Sequence, residues 1–275
     1  MELQRLAETA EELVVRQWGD FLAGYGRATP RRKSDGSPVT DADVRIESTL
    51  HALLEKETGI AVVGEETIGC VGSRREEIDR LHEVVGQQCY WVVDPIDGTS
   101  NYVRGNPACA ILAVLFSNER PLIGVTSLPA LETTLTSVVG DGMSVTVRGT
   151  LMRFDGGEWG VDDGGQKVVD KLVPGFIHKT QSIVEGLISS PQPRIRISGC
   201  VGANLGLLAL AGAGTTVSMS PHVWDNGAGV CHLLARGAHV MDLHGDPWRI
   251  GSDGVIGGEE ETVGRVSKSL RRIGR

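Results

Sequence analysis

The sequence lacks the marks of several large protein classes. Its five cysteines, Cys70, Cys89, Cys109, Cys200 and Cys231, are odd in number and contain no C-x-x-C pair. That excludes a disulfide framework or a cysteine zinc site and leaves small apolar side chains of a reducing compartment. Positive charge is in deficit: 27 Lys and Arg stand against 35 Asp and Glu, a formal charge of -8. A nucleic acid, whose phosphates are bound by basic excess, is therefore not an expected partner. No apolar run is long enough to span a bilayer, and Glu2, Arg5 and Glu8 break up the opening residues. Neither a membrane span nor a secretory leader is expected, and the expected location is cytoplasmic. The seven histidines show no ligand spacing, and no internal repeat is present.

What is present begins with length. A chain of 275 residues with 40% hydrophobic content can bury a large core, here expected as one compact unit of two halves, 1–140 and 141–275. The organising stretch is Trp91-Val92-Val93-Asp94-Pro95-Ile96-Asp97-Gly98-Thr99-Ser100-Asn101. Three apolar residues read as a buried strand that stops at an acid and a proline, because Pro95 has no N–H for a ladder. The resulting bend places Asp94 and Asp97 on one side. Two acids that close repel unless a cation lies between them, and a hard divalent ion such as Mg2+ takes oxygen ligands. Gly98 allows close backbone approach and Thr99 adds a hydroxyl, so a phosphate would find donors there. Taken alone, the hexapeptide is also an ordinary turn sequence.

Elsewhere, Leu3, Leu6, Ala7, Ala10, Leu13, Val14 and Phe21 predict one amphipathic helix ending near Gly24. A basic loop over 30–38 holds Lys33. Thr40 or Asp41 then caps a second helix with Ile46, Leu50, Leu53 and Leu54 toward the core and Asp43 in its first turn, where an acid suits the helix dipole. A strand over 60–63 runs into Gly64-Glu65-Glu66, acids at a strand end where α/β sheets gather ligands. Residues 74–85 read as a surface helix. Strands are predicted over 110–116, 121–128 and 133–139, with Asn118-Glu119-Arg120 as a hairpin connection. No chemistry is assigned over 140–193. A glycine turn at Gly199 starts an apolar helix over 203–211. A strand follows at 217–219, then Val223-Trp224-Asp225-Asn226-Gly227-Ala228-Gly229 opens a helix with Asp225 as its expected N-cap. Gly227 and Gly229 each cost a helix about 1 kcal/mol, so close packing is expected around them. A strand over 239–243 and a helix over 260–273 complete the prediction, and His222 is given a structural role.

Four segments taken together resemble the inositol monophosphatase family of metal-dependent, lithium-sensitive phosphatases. They are Lys33 with Pro38-Val39-Thr40-Asp41-Ala42-Asp43, Gly64-Glu65-Glu66, Asp94 through Tyr102, and Trp224 through Gly229, in family order. The resemblance implies an α/β (α+β) fold, the layered αβαβα sandwich of the inositol monophosphatase and fructose-bisphosphatase type, and a homodimer. It implies two or three Mg2+ ions. Glu65, Asp94 and the Ile96 carbonyl would hold the first, Asp94, Asp97 and Asp225 the second, and Glu65 would assist a weaker third. An activated water would attack phosphorus directly. Thr99, paired with Asp43, would orient it and take its proton, with Glu66 nearby. Gly98, Thr99, Ser100, Gly199 and Cys200 would contact substrate, and Lys33 would balance charge at the edge.

The implied substrate is a small phosphorylated polyol or amino alcohol. Ser220-Pro221-His222-Val223-Trp224 and Gly245-Asp246-Pro247-Trp248 resemble the actinobacterial inositol monophosphatases, so inositol-1-phosphate is expected. Ser218 stands where animal-type relatives carry a glutamate for inositol hydroxyls, and Val103-Arg104-Gly105 resembles histidinol-phosphate phosphatases, the alternative. A charged insertion found in nucleotide bisphosphatases is absent. Outside this class, the chain would be a metal-binding regulatory protein without turnover.

Overall fold

The computed structural model describes residues 2–68, 79–81, 83, 89–154, 166–170 and 194–271. The chain begins with α1 (Glu2–Val15) and α2 (Trp18–Gly24). A small hairpin of β1 (Arg31–Arg32) and β2 (Pro38–Val39) leads into α3 (Asp41–Thr58), β3 (Ala61–Gly64) and a short α4 (Glu65–Ile68). Then come β4 (Cys89–Asp97), α5 (Thr99–Arg104), β5 (Ala110–Ser117), β6 (Arg120–Leu128), β7 (Thr133–Val138), β8 (Gly142–Val147) and β9 (Thr150–Phe154). The remainder supplies β10 (Gln166–Asp170), β11 (Arg194–Arg196), α6 (Val201–Ala211), β12 (Thr215–Ser218), α7 (Val223–Ala235), β13 (His239–Met241), β14 (Val255–Gly258) and α8 (Glu260–Arg271).

Two sheets organise these elements: seven strands in the order β3-β4-β5-β6-β7-β8-β9, and five in the order β11-β10-β12-β14-β13. The central strands of the larger sheet are apolar at successive positions, as strands buried on both faces must be. Their side chains divide by the two-residue period of a strand. Trp91, Val93, Ile111, Ala113 and Leu115 pack with Ala10, Leu13, Ile46 and Leu50 of α1 and α3. Val92, Leu112, Val114 and Phe116 pack on the opposite face with Val201, Leu205, Val230 and Leu233 of α6 and α7. The far side of α6 and α7 meets the second sheet, whose outer face holds Val217 and Ile256 against Val263, Val266 and Leu270 of α8. The order of layers is α, β, α, β, α, the sandwich that the family resemblance implied.

Several elements differ from expectation in instructive ways. The first helix is two helices, because the chain tightens at Gln17, whose N–H bonds to Val14 O and whose side chain caps Leu13 O at 3.0 Å. Pro95 does not end its strand. Between the pairs Asp94↔Leu112 and Asp97↔Ala110 the register shifts, with three steps on β4 against two on β5, so a bulge absorbs the missing donor. Asn118 and Glu119 both take positive φ, 47° and 63°, in a two-residue hairpin turn, which matches strand twist. The surface helix expected over 74–85 falls mostly outside the described residues, as does much of 140–193. The strand β14 was not expected.

Gly229 shows why α7 tolerates a poor helix former. A Cβ there would collide with Cβ and Cδ1 of Leu205, where α6 and α7 touch. Gly229→Ala therefore sets overpacking in the upper part of the usual range, about 2–3 kcal/mol, against a propensity gain of about 1 kcal/mol. Because Leu205 Cβ cannot swing away, a net loss of about 1–2 kcal/mol is expected as a lower urea midpoint. Gly264→Ala in α8 is the control: nothing lies within 4 Å of that position, so only the propensity gain remains. A Gly229→Ala midpoint equal to or above wild type would refute the packing argument.

Candidate active site

The site lies where β3 and β4 end and where α5, α6 and α7 begin. Asp94 is 1% exposed and accepts the Ile96 N–H at 3.0 Å, a local bond that turns its carboxylate inward. Asp97, beyond the bulge, accepts the Gly202 N–H at 2.6 Å and the Cys200 thiol at 3.0 Å, which joins β4 to the start of α6. Asp225 is not the N-cap of its helix. His222 occupies that position, Asp225 lies in the first turn, and the Ser220 hydroxyl donates to it. Released from capping, it faces the other acids: one oxygen each of Asp94, Asp97 and Asp225 lie within 4.8 Å of one another.

Glu65 and Glu66 open α4 and meet Lys33 Nζ at 2.7 and 2.6 Å. Thr99 Oγ1 donates to Ile96 O at 3.0 Å and Asp43 Oδ1 at 3.3 Å. Asp43 forms the capping box of α3, with Oδ2 accepting the Thr40 N–H at 2.8 Å and the Thr40 hydroxyl at 2.5 Å. Gly98 has φ 80°. A side chain there would be strained by that angle and would lie 3.1 Å from Ala108 O, so the turn into α5 requires glycine. The cleft enclosed is about 440 Å³, with Glu65, Asp94, Ile96, Asp97, Gly98, Thr99, Ser100, Gly199, His222, Trp224 and Asp225 in its wall. Cys200 is buried behind this wall with its thiol on Asp97, and its neighbours Gly199 and Val201 form the surface. His222 stacks on Trp224 with ring centroids 4.7 Å apart.

The electrostatics follow from crowding. Burial, then the nearby Glu65, Asp97 and Asp225, raise the Asp94 pKa well above the carboxylate range. Burial and Asp225 bring Asp97 to about 7, against the lowering effect of Cys200 and Gly202. Burial brings Glu65 to about 7 although Lys33 opposes it. For Lys33, burial acts downward but Glu65 and Glu66 outweigh it, so its pKa is raised. Among the described residues Lys33 pairs with Glu65 and Glu66, and no cation pairs with Asp94, Asp97 or Asp225. An all-oxygen acid cluster short of positive charge fits a hard divalent cation.

Sequence reasoning missed Glu47, 3% exposed, whose carboxylate accepts the N–H groups of Glu66 and Thr67, each at 2.7 Å. Its signal was a lone acid one turn after Asp43 on the apolar side of α3. It also missed Asn101, whose amide donates to Ala108 O at 2.7 Å and Ser198 O at 2.8 Å and ties α5 to the turn before α6.

Fold and site together define a layered α/β sandwich with a buried acid cluster suited to a divalent cation. The sequence profile of the inositol monophosphatase family matches residues 2–274, and the chain belongs to that family. It is 30% identical over 264 residues to the inositol-1-monophosphatase ImpA of Mycolicibacterium smegmatis, covering 93% of this chain and 88% of that one. It is 39% identical over 145 residues to the histidinol-phosphatase of Mycobacterium tuberculosis, covering 52% and 49%. The fold matches that of the Thermotoga maritima IMPase with a TM-score of 0.76 at 22% identity, over 98% of this chain and 99% of that one. No described helix is long and apolar enough to cross a membrane.

Proposed function

We propose that this phosphatase hydrolyses inositol-1-phosphate to inositol and phosphate, with two or three Mg2+ ions held by Glu65, Asp94, the Ile96 carbonyl, Asp97 and Asp225. The observation that carries the reading is the convergence of one oxygen each of Asp94, Asp97 and Asp225 within 4.8 Å of one another in the wall of a cleft of about 440 Å³. When bound, the metal supplies the positive charge that offsets the phosphate and makes a water acidic at neutral pH.

The chain's own residues do the rest. The Thr99 hydroxyl gives its one hydrogen to Ile96 O and Asp43 Oδ1, so its lone pairs are open to a donating water. Thr40 takes Asp43 Oδ2, which leaves Oδ1 for Thr99. Burial raises the Asp43 pKa, a direction that suits a group receiving a proton through Thr99. Glu66 stands beside this pair. Main-chain N–H groups of Gly98 and Thr99, with Ser100, would hold phosphate oxygens, and Gly199 would bound the leaving alcohol, whereas Cys200, expected from the sequence to contact substrate, is buried and holds Asp97 instead. Lys33 balances charge at the edge. Attack by water is direct, so no covalent nucleophile is needed. The same reading carries a homodimer, lithium sensitivity and a cytoplasmic location.

A second reading, histidinol phosphate, is supported by the 39% identity over 145 residues to a histidinol-phosphatase. Ser218, fully buried in β12, offers no group to inositol hydroxyls. Phosphate release with Mg2+ from inositol-1-phosphate, histidinol phosphate, fructose-1,6-bisphosphate and adenosine 3′,5′-bisphosphate tests both. Preference for inositol-1-phosphate is the expected result. Preference for histidinol phosphate would move the substrate and leave the site chemistry standing. Release from none of them, with metal bound, would sink the phosphomonoesterase reading.

A further inference from the structure

The geometry points to Glu47 as a positioning residue that sets the cation affinity of the site by holding the backbone of Glu65 and Glu66 from beneath. A helix normally has its second or third N–H accepted by the side chain of its own N-cap. The residue before α4 is Gly64, which has no side chain to do this. The N–H groups of Glu66 and Thr67 are instead accepted by Glu47 of α3, at 2.7 Å each, and the Thr67 hydroxyl adds a third bond at 2.7 Å. Gly64 makes the arrangement possible, since a Cβ there would collide with the Glu47 carboxyl group.

A purely structural cap does not need this residue type. Glu47 is 3% exposed, and burial raises its pKa, with Glu66 raising it further against the bonds from Thr67. A buried carboxylate beside another is costly, and among the described residues the bonds it accepts come from α4. What a carboxylate does better than a neutral acceptor is receive two successive N–H groups at once, which fixes both peptide planes. Lys33 holds the Glu65 and Glu66 side chains, whereas Glu47 holds main-chain N–H groups. Glu47 also lies one helical turn after Asp43, the partner of Thr99, so one face of α3 aligns both the water-orienting pair and the Glu65 edge of the cation site.

This inference rests on the reading of Glu65 as a cation-holding carboxylate, and the test separates the two. Mn2+ and Mg2+ binding to wild type, Glu47→Gln, Glu47→Asp and Glu65→Gln would be measured by titration calorimetry, beside kcat, substrate KM and melting temperature. Glutamine keeps the shape of Glu47 but turns an NH2 toward an N–H donor, and aspartate falls one methylene short. The expected result for Glu47→Gln is cation affinity weaker by about 10–100-fold, the usual range for a group that orients a ligand. Substrate KM at saturating cation should be unchanged, with partial recovery of affinity in Glu47→Asp. A lower melting temperature with wild-type cation affinity in Glu47→Gln would overturn the proposal, because that is the signature of a cap alone. Unchanged affinity in Glu65→Gln would overturn the underlying reading and this inference with it.

Discussion

Asp94→Asn is expected to abolish turnover while raising the melting temperature of the metal-free protein. Asparagine keeps the oxygen that accepts the Ile96 N–H, so the bulge in β4 survives. It also replaces a group whose ionisation burial and Glu65, Asp97 and Asp225 all oppose, so folding no longer has to take up a proton there. The folded state gains from that relief, and a gain of about 1 kcal/mol moves the midpoint of a chain this size by roughly 2–4 °C. Turnover should fall by at least about 10²–10³-fold, the usual loss when a group that stabilises transition-state charge is removed. The two changes in opposite directions separate lost chemistry from lost folding. Near-wild-type turnover in this variant would remove Asp94 from the mechanism.

A second large effect is expected from pH. In the metal-free protein Glu65 and Asp97 stand at about 7, against ordinary values of 4.5 and 3.8. Between about pH 4 and 7 the folded state therefore binds more protons than the unfolded chain, and its stability falls as pH rises through that window. Below pH 4 both states are protonated and the contribution is fully present. A shift of the size shown by Glu65 corresponds to about 3 kcal/mol, and the coupled Asp97 does not simply add to it. A divalent cation replaces the protons, so Mg2+ should raise the melting temperature by roughly 5–10 °C at about pH 8 and by little at about pH 5. Melting curves with Mg2+ and with chelator at the two pH values measure this. An equal Mg2+ effect at both would mean the acids do not share a cation.

Much of this was legible in the chain itself. The apolar runs 91–93 and 110–116 announced strands, the first of them buried, and the acids following strands announced a cleft at strand ends. The closeness of Asp94 and Asp97 was readable because it is local, although a bulge in β4 rather than a turn sets it. Asp225 was harder. Its sequence position says N-cap, and only Ser220 and the start of α7 at His222 show that it is free to face the other acids. Pro95 was read as a stop, because nothing in the sequence shows that β4 carries an extra residue there against β5.

Glu47 is the clearest case of what the sequence could not reveal. On a helical wheel it is an acid on the wrong side of α3. Its partners, the N–H groups of Glu66 and Thr67, are 19 and 20 residues away. The residue types, the periods of strand and helix, and the acid pair beside Gly98 were determined by the sequence alone, because local sterics and burial act over a few residues. Which acids share one cation site, and what holds them there, was decided by the tertiary structure. Charge coupling depends on distances of a few ångströms between segments as remote as Asp94 and Asp225, and only the packing of α6 and α7 against the sheet sets those distances.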